Sequence, residues 1–267
     1  MKKISLVHFI QWEKVPDEQL DSTFAELKDM GADNIVLHPC WWIRDEKEGS
    51  FLKKIYEKMI ANGMTGTACH GLWGKDYDLN CPDEARRKQI TSTHRRFMNS
   101  VADMGSLTYT VHLGDRRPGC SKDFLYGQVR KTLDTLLPDA EKSGIKIALE
   151  NMIDYDLSHE IAALAAEYNH PALGICLDTG HAHVGEDLKA AVENTAPYLV
   201  TCHMHDNDGS GDQHLPAGCG TTDWQYLTTA LKACPKIINA ETEAGDCEGL
   251  SRASIWEMFK KHWEMSE

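Results

Sequence analysis

A chain of 267 residues with 42% hydrophobic content has material for one large core, and its length suits a single α/β barrel of about 250 residues better than two full domains. Its formal charge of −13, from 28 basic and 41 acidic side chains, repels a phosphate backbone, so no extended nucleic-acid contact is expected. Eight short apolar runs then follow one another along the chain: KISLVHFI, ADNIVLHP, MTGTACHG, LTYTVHLG, IKIALENM, ALGICLDTGH, YLVTCHMHD and KIINAETE. They are short, rich in β-branched residues and mostly bounded by Gly or Pro, which predicts strands. Amphipathic segments separate them. Pro16 to Met30 puts Leu20, Phe24 and Leu27 on one face. The next covers 51–62, and Pro82 to Met104 carries Ile90, Phe97 and Val101. Ser121 is the expected N-cap of a helix that ends at Gly144. Further helices are expected at 157–168, 187–194, 224–233 and 250–262. Strict alternation with short links implies parallel strands joined by right-handed crossovers. Eight units predict a closed (β/α)8 TIM barrel, one domain over 1–267. An open doubly wound sheet is disfavoured because no GxGxxG follows the first strand.

Each run turns polar at its C-terminal end: His8, His38, His70, His112, Glu150 with Asn151, Asp178 with His181, His205, and Glu241 with Glu243. In an α/β barrel these ends converge on one face, where active sites are built. Glu150, Asp178, His205 and Glu241 leave the fifth to eighth strands. Three carboxylates and an imidazole buried together, with no basic residue in these motifs, call for a cation. An oxygen-rich set with one nitrogen suits Mn, Mg or Co, and also Zn or Fe. A second group, His70, His112, His181, Asp212 and His214, either holds further metal ions or binds substrate hydroxyls. Trp12, Trp41, Trp42 and Trp73 follow strands one to three and offer flat faces for sugar C–H groups. Arg116 and Arg117, in HLGDRRPG, are candidate contacts for a phosphate or carboxylate.

The motifs IALEN, LDTGH, HMHDND with DQHLPAGCGTTDW, and AETE resemble the xylose isomerase-like TIM-barrel superfamily, which holds sugar and sugar-phosphate isomerases and epimerases and the endonuclease IV-type enzymes. The likeness is densest from Ile147 to Glu241. It implies one divalent metal, often Mn, on Glu150, Asp178, His205 and Glu241, with the two glutamates as an acid/base pair working through a metal-stabilised enediolate. The endonuclease IV branch implies a wider set for three zinc ions: His70, His112, Glu150, Asp178, His181, His205, Asp212, His214 and Glu241. All nine residue types are present. The ketose 3-epimerases carry a substrate-binding arginine shortly after the histidine matching His205, and DNDGSG has none. Cys219 interrupts the usual LPxGxG turn.

The expected function is therefore a metal-dependent isomerase or epimerase of a small sugar or sugar phosphate. The alternatives are a zinc phosphodiesterase acting at abasic DNA and a sugar-binding or dehydratase barrel. Nine cysteines without CxxC spacing read as reduced thiols. With no signal peptide and no membrane span in the sequence, a cytoplasmic location is expected. Assembly into a homo-oligomer is left open.

Overall fold

The structure, a computed structural model, describes residues 3–245 and 247–265. Its eight strands are β1 (Ser5–His8), β2 (Asn34–Leu37), β3 (Thr65–His70), β4 (Thr108–Val111), β5 (Lys146–Glu150), β6 (Leu173–Asp178), β7 (Leu199–Met204) and β8 (Asn239–Thr242). They lie in sequence order in one closed parallel barrel, with β8 paired to β1 from Ser5↔Asn239 to His8↔Thr242. Each expected run supplies one strand, and the (β/α)8 TIM barrel is the observed architecture.

The helices are α1 (Leu20–Asp29), α2 (Pro39–Glu48), α3 (Phe51–Ala61), α4 (Glu84–Asp103), α5 (Lys122–Ser143), α6 (Ser158–Tyr168), α7 (Thr179–Gly185), α8 (Leu188–Thr195), α9 (Trp224–Lys232) and α10 (Arg252–Glu264). Local chemistry sets their ends. Ser121 Oγ accepts from Phe124 N at 3.2 Å to start α5, and Gly144, at φ 75°, stops it. Two helices were not expected from the sequence, α2 and α7. Pro39 stands in the first turn of α2, where a missing N–H costs nothing, and the His38 ring accepts from Cys40 N.

The main core lies between the sheet and the helical ring, where Ile35, Tyr109, Ile147 and Ile175 of the strands meet Phe24, Phe97, Leu133 and Phe259 of the helices. Inside the barrel the apolar groups are small: Val7, Val36 and Ala68 on one side, Ala148, Cys176 and Val200 on the other. Polar side chains fill the floor. Asn239 Nδ2 donates to Thr108 Oγ1 at 3.0 Å and to Thr67 O at 2.9 Å, while its Oδ1 accepts from Thr67 Oγ1 at 2.9 Å. Asn34 extends this network to Thr67 and Leu6 O. A fully satisfied buried network fixes the register of β2, β3, β4 and β8 against one another. Asn239→Ala is expected to lose about 2–4 kcal/mol, because Thr108 Oγ1 and Thr67 O lose a donor and Thr67 Oγ1 loses an acceptor in a dry interior. A urea unfolding midpoint unchanged from the native protein would contradict this.

Candidate metal centre

Alternation along the strands decides which side chains enter the barrel. On β7 these are His203 and, just beyond the strand, His205. On β8 and its continuation they are Asn239, Glu241 and Glu243. Register places Asp178, His203 and Glu241 side by side on adjacent strands. His203 therefore stands in the middle of the carboxylates. Its Nδ1 lies 3.3 Å from Glu150 Oε1, 3.3 Å from Glu243 Oε2 and 3.9 Å from Asp178 Oδ2, and its Nε2 lies 3.8 Å from Glu241 Oε2. His205 reaches a different set: Asp178 Oδ1 at 3.2 Å and Asp212 Oδ1 at 3.6 Å, with its ring stacked on His214 at 3.9 Å.

The remaining expected residues join the same cluster. His112 Nε2 is 3.1 Å and His70 Nε2 is 3.6 Å from Glu150 Oε2. Asp212 Oδ2 is 3.4 Å from His181 Nε2 and 3.2 Å from His214 Nε2. All nine residues named from the sequence thus gather at the C-terminal mouth, together with two that were not among the expected ligands. These are His203 and Glu243. The signal for both was present as H-x-H and E-x-E, since residues two apart on a strand share a face.

Three features of this cluster fit a bound cation. The first is the way the imidazoles are held. His70 Nδ1 is 2.9 Å from Gly71 O, His181 Nδ1 is 2.9 Å from Asn151 O, and His214 Nδ1 is 2.8 Å from Glu243 O. With Nδ1–H donated to a carbonyl, each ring presents the Nε2 lone pair inward, as metal-ligating histidines do. The second is unsatisfied polarity: His203 Nε2, His205 Nδ1 and Glu241 Oε1 are buried without a hydrogen-bond partner. The third is convergence. Potential ligand atoms lie within 4.8 Å of one another in overlapping groups: His70, Glu150 and His203; Glu150, Asp178 and His181; Asp178, His205 and Glu243; His205, Asp212 and His214.

Charge explains the titration behaviour. Among the described residues, every ion pair of Glu150, Asp178, Asp212, Glu241 and Glu243 is made with an imidazole, and none with Lys or Arg. Burial disfavours charge on His181, yet Asp178, Asp212 and Glu150 outweigh it and lift its pKa to about 11. His214 rises to about 9 because Asp212 and Glu243 overcome the same burial penalty. Burial raises Glu241 to about 8, with Glu243 and Glu150 adding to it against the opposing pull of His203. Glu150 moves the other way, well below the usual range, because His203 and His112 overcome its burial.

Two supports hold the cluster in shape. Asp206, fully buried, accepts from Gly218 N at 3.0 Å, Thr222 N at 3.1 Å and Trp224 Nε1 at 2.8 Å, which ties down the loop carrying Asp212 and His214. Gly180 leaves room for an imidazole: a Cβ there would stand 1.9 Å from His205 Cε1. Cys219 is exposed, and only its backbone takes part in the turn, donating to Pro216 O at 3.0 Å.

The other expected contacts sit elsewhere. His8 faces α10, its ring 5.3 Å from Trp256, and is not part of the cluster. Trp12 and Trp41 are buried against each other at 4.9 Å, and Trp42 packs on Phe97, so these three rings are core. Trp73 remains 45% exposed with its ring 4.7 Å from His70, at the mouth. Arg116 lies beyond the cluster, donating to Asp154 O.

The closed parallel barrel agrees with the family described as xylose isomerase-like TIM barrel. The model of that family matches residues 24–257, and the chain belongs to it. Over 172 residues the chain is 31% identical to the Methanocaldococcus jannaschii protein MJ1311, covering 58% of this chain and 57% of that one. The chain spans about half the length of the curated relatives it matches, 38% and 57% for two of them. Among solved structures it is similar to the E. coli 3-keto-D-glucoside 4-epimerase YcjR, with a TM-score of 0.79 at 19% identity over 97% of this chain and 99% of that one. It is similar also to the IOLI protein with a bound zinc atom, with a TM-score of 0.79 at 16% identity over 98% of each chain. At such identities the likeness establishes the fold. No helix among the described residues is long and apolar enough to cross a membrane.

Gly180→Ala is expected to push the His205 ring from its place and to weaken binding of a divalent ion about 10–100-fold, the usual effect of disturbing a ligand's support. Calorimetric titration with Mn2+ checks this, and an unchanged affinity in a folded variant would contradict it.

Proposed function

We propose that the chain is a divalent-metal-dependent isomerase or epimerase of a sugar or sugar phosphate, exchanging a proton at the carbon next to a carbonyl. The observation that carries this reading is the cluster of buried carboxylates faced only by imidazoles, several with Nε2 aimed inward. Solved proteins of the same fold named as sugar epimerases, including YcjR and an L-ribulose 3-epimerase, support the substrate class. The zinc atom of the IOLI protein supports the cofactor class. Glu150, Asp178, His205 and Glu241 would hold the ion: His205 Nε2 lies 3.2 Å from Asp178 Oδ1, whereas the His203 ring stands between the carboxylates, with Nδ1 toward Glu150 and Asp178 and Nε2 toward Glu241.

A proton α to a carbonyl is too weakly acidic for an unaided carboxylate at neutral pH. A divalent ion, when bound, supplies Lewis-acid polarisation of the carbonyl and its neighbouring hydroxyl. The chain supplies the proton traffic. Glu150 and Glu241 approach from β5 and β8 on different sides of the His203 ring, so one removes a proton while the other delivers one. His181, whose Nδ1 lies 2.9 Å from Asn151 O, would orient a substrate oxygen. Trp73 offers a flat face at the entrance.

A second reading has one observation in its favour. His70, His112, His181, Asp212 and His214 carry the donor set beyond what one ion needs, as a zinc phosphodiesterase would require. The charge of −13 works against a DNA substrate. Incision of an abasic duplex at low enzyme concentration, lost with chelator, would reverse this ranking.

Three outcomes test the first reading. Asp178→Ala is expected to abolish metal retention, measured by emission spectroscopy on purified protein, and a full metal complement in that variant would contradict the site. Glu241→Gln is expected to fold and to lose turnover about 10²–10⁴-fold. With the native enzyme in D2O, the product is expected to carry deuterium at the carbon next to the carbonyl. Product formed without label would remove the two-glutamate exchange.

A further inference from the structure

A cavity lies apart from the metal cluster. It encloses about 490 Å³ between the β4–α5 loop, the first turns of α5 and the β5–α6 loop. None of the clustered histidines or carboxylates lines it. Cavities of this volume accommodate small organic molecules.

Its walls have a definite chemistry. Leu113, Leu125 and Val129 make a buried apolar floor. Two tyrosines stand around it with their hydroxyls already committed. Tyr126 Oη donates to Asp156 Oδ1 at 2.8 Å, and Tyr155 Oη donates to Asp115 Oδ1 at 3.1 Å. The part of each tyrosine left for an occupant is therefore its ring. Asp156 holds its position with φ 52°, a conformation that Asp tolerates better than most residues.

The cations at the rim are unequal. Arg117 is paired with Asp78 at 2.7 Å, and Lys122 is paired with Glu160. Arg116 makes no ion pair among the described residues. It donates to the main-chain oxygen of Asp154, and its guanidinium lies 5.7 Å from the Tyr155 ring. A guanidinium without an ion pair among the described residues thus stands beside an aromatic wall, at the rim of a largely apolar cavity whose lining carboxylates, Asp115 and Asp156, each accept from a tyrosine hydroxyl. Guanidinium suits a carboxylate, sulfonate or phosphate and has no use for a neutral apolar edge.

We propose that this cavity is a second ligand site, taking a small molecule that joins a flat apolar body to a single acidic group. The body lies between Tyr126 and Tyr155 over the Leu113 and Val129 floor, and the acid meets Arg116. The two loops that form the site begin directly after His112 and Glu150, so an occupant bears on the strand ends that carry the metal cluster. The proposal does not depend on the sugar chemistry above.

The test uses two fluorescent probes of the same shape, anilinonaphthalene sulfonate, which has the acid, and phenylnaphthylamine, which lacks it. Titration of the full chain is expected to show one saturable site that prefers the sulfonate by about tenfold or more. Arg116→Glu, at an exposed position, is expected to weaken the sulfonate by about tenfold or more and to leave phenylnaphthylamine within about twofold. Leu125→Trp, which fills the cavity, is expected to weaken both. Absence of saturable binding to the native protein, or the same sulfonate affinity in Arg116→Glu, overturns the proposal. Should Leu125→Trp fail to fold, the two probes with Arg116→Glu decide alone.

Discussion

Four carboxylates buried at one end of a barrel, with the exposed Asp212 at their edge, repel one another, and here only imidazoles stand between them. Glu150, Asp178, Glu241 and Glu243 all lie within 4 Å of His203, and Asp212 closes the group through His181, His205 and His214. Without a cation, the protein meets this excess by favouring the protonated forms of His181, His214 and Glu241, whose pKa values are all raised by the surrounding carboxylates or by burial. A divalent ion resolves the same imbalance with far less disturbance, because it replaces several protons by one centre with directed ligands. The rest of the fold is organised so that this imbalance survives.

That organisation begins with the closed barrel. Closure gives every strand the same inward alternation, so chemistry placed at one strand end faces the chemistry of its neighbours. The Asn34, Thr67, Thr108 and Asn239 network locks the register beneath the cluster. Above it, Asp206 pins the long β7–α9 loop, and Gly180 supplies the missing Cβ that the His205 ring requires. Carbonyls of Gly71, Asn151 and Glu243 orient three imidazoles. Each support comes from a residue next to a ligand in sequence or from the loop that bears it, which explains why the motifs are compact.

The barrel was legible because its signals are local and repeated: eight short apolar runs, and amphipathic segments with Gly stops. That most of the nine candidate residues gather at one mouth was legible because strand ends in such a barrel share one face. What sequence could not decide was how far each strand continues. His203 and His205 alternate, as do Glu241 and Glu243, and only register shows that His203 sits beside Glu241 while His205 sits with Asp212 and His214. The tryptophans misled for a related reason. Trp41 and Trp42 read as loop residues because they follow the second strand, yet Pro39 opens α2 there and both rings turn into the core. His8 looked like its counterparts on other strands, but the inward position on β1 belongs to Val7.

The central claim is that this cluster exists to hold a divalent ion. Crystals of the protein grown with Mn2+, and diffraction recorded on both sides of the manganese absorption edge, test it most directly. The account predicts an anomalous peak about 2.0–2.3 Å from the donor atoms of Glu150, Asp178, His205 and Glu241. A map with no peak at the cluster, in protein shown to be folded and exposed to excess Mn2+, would contradict it.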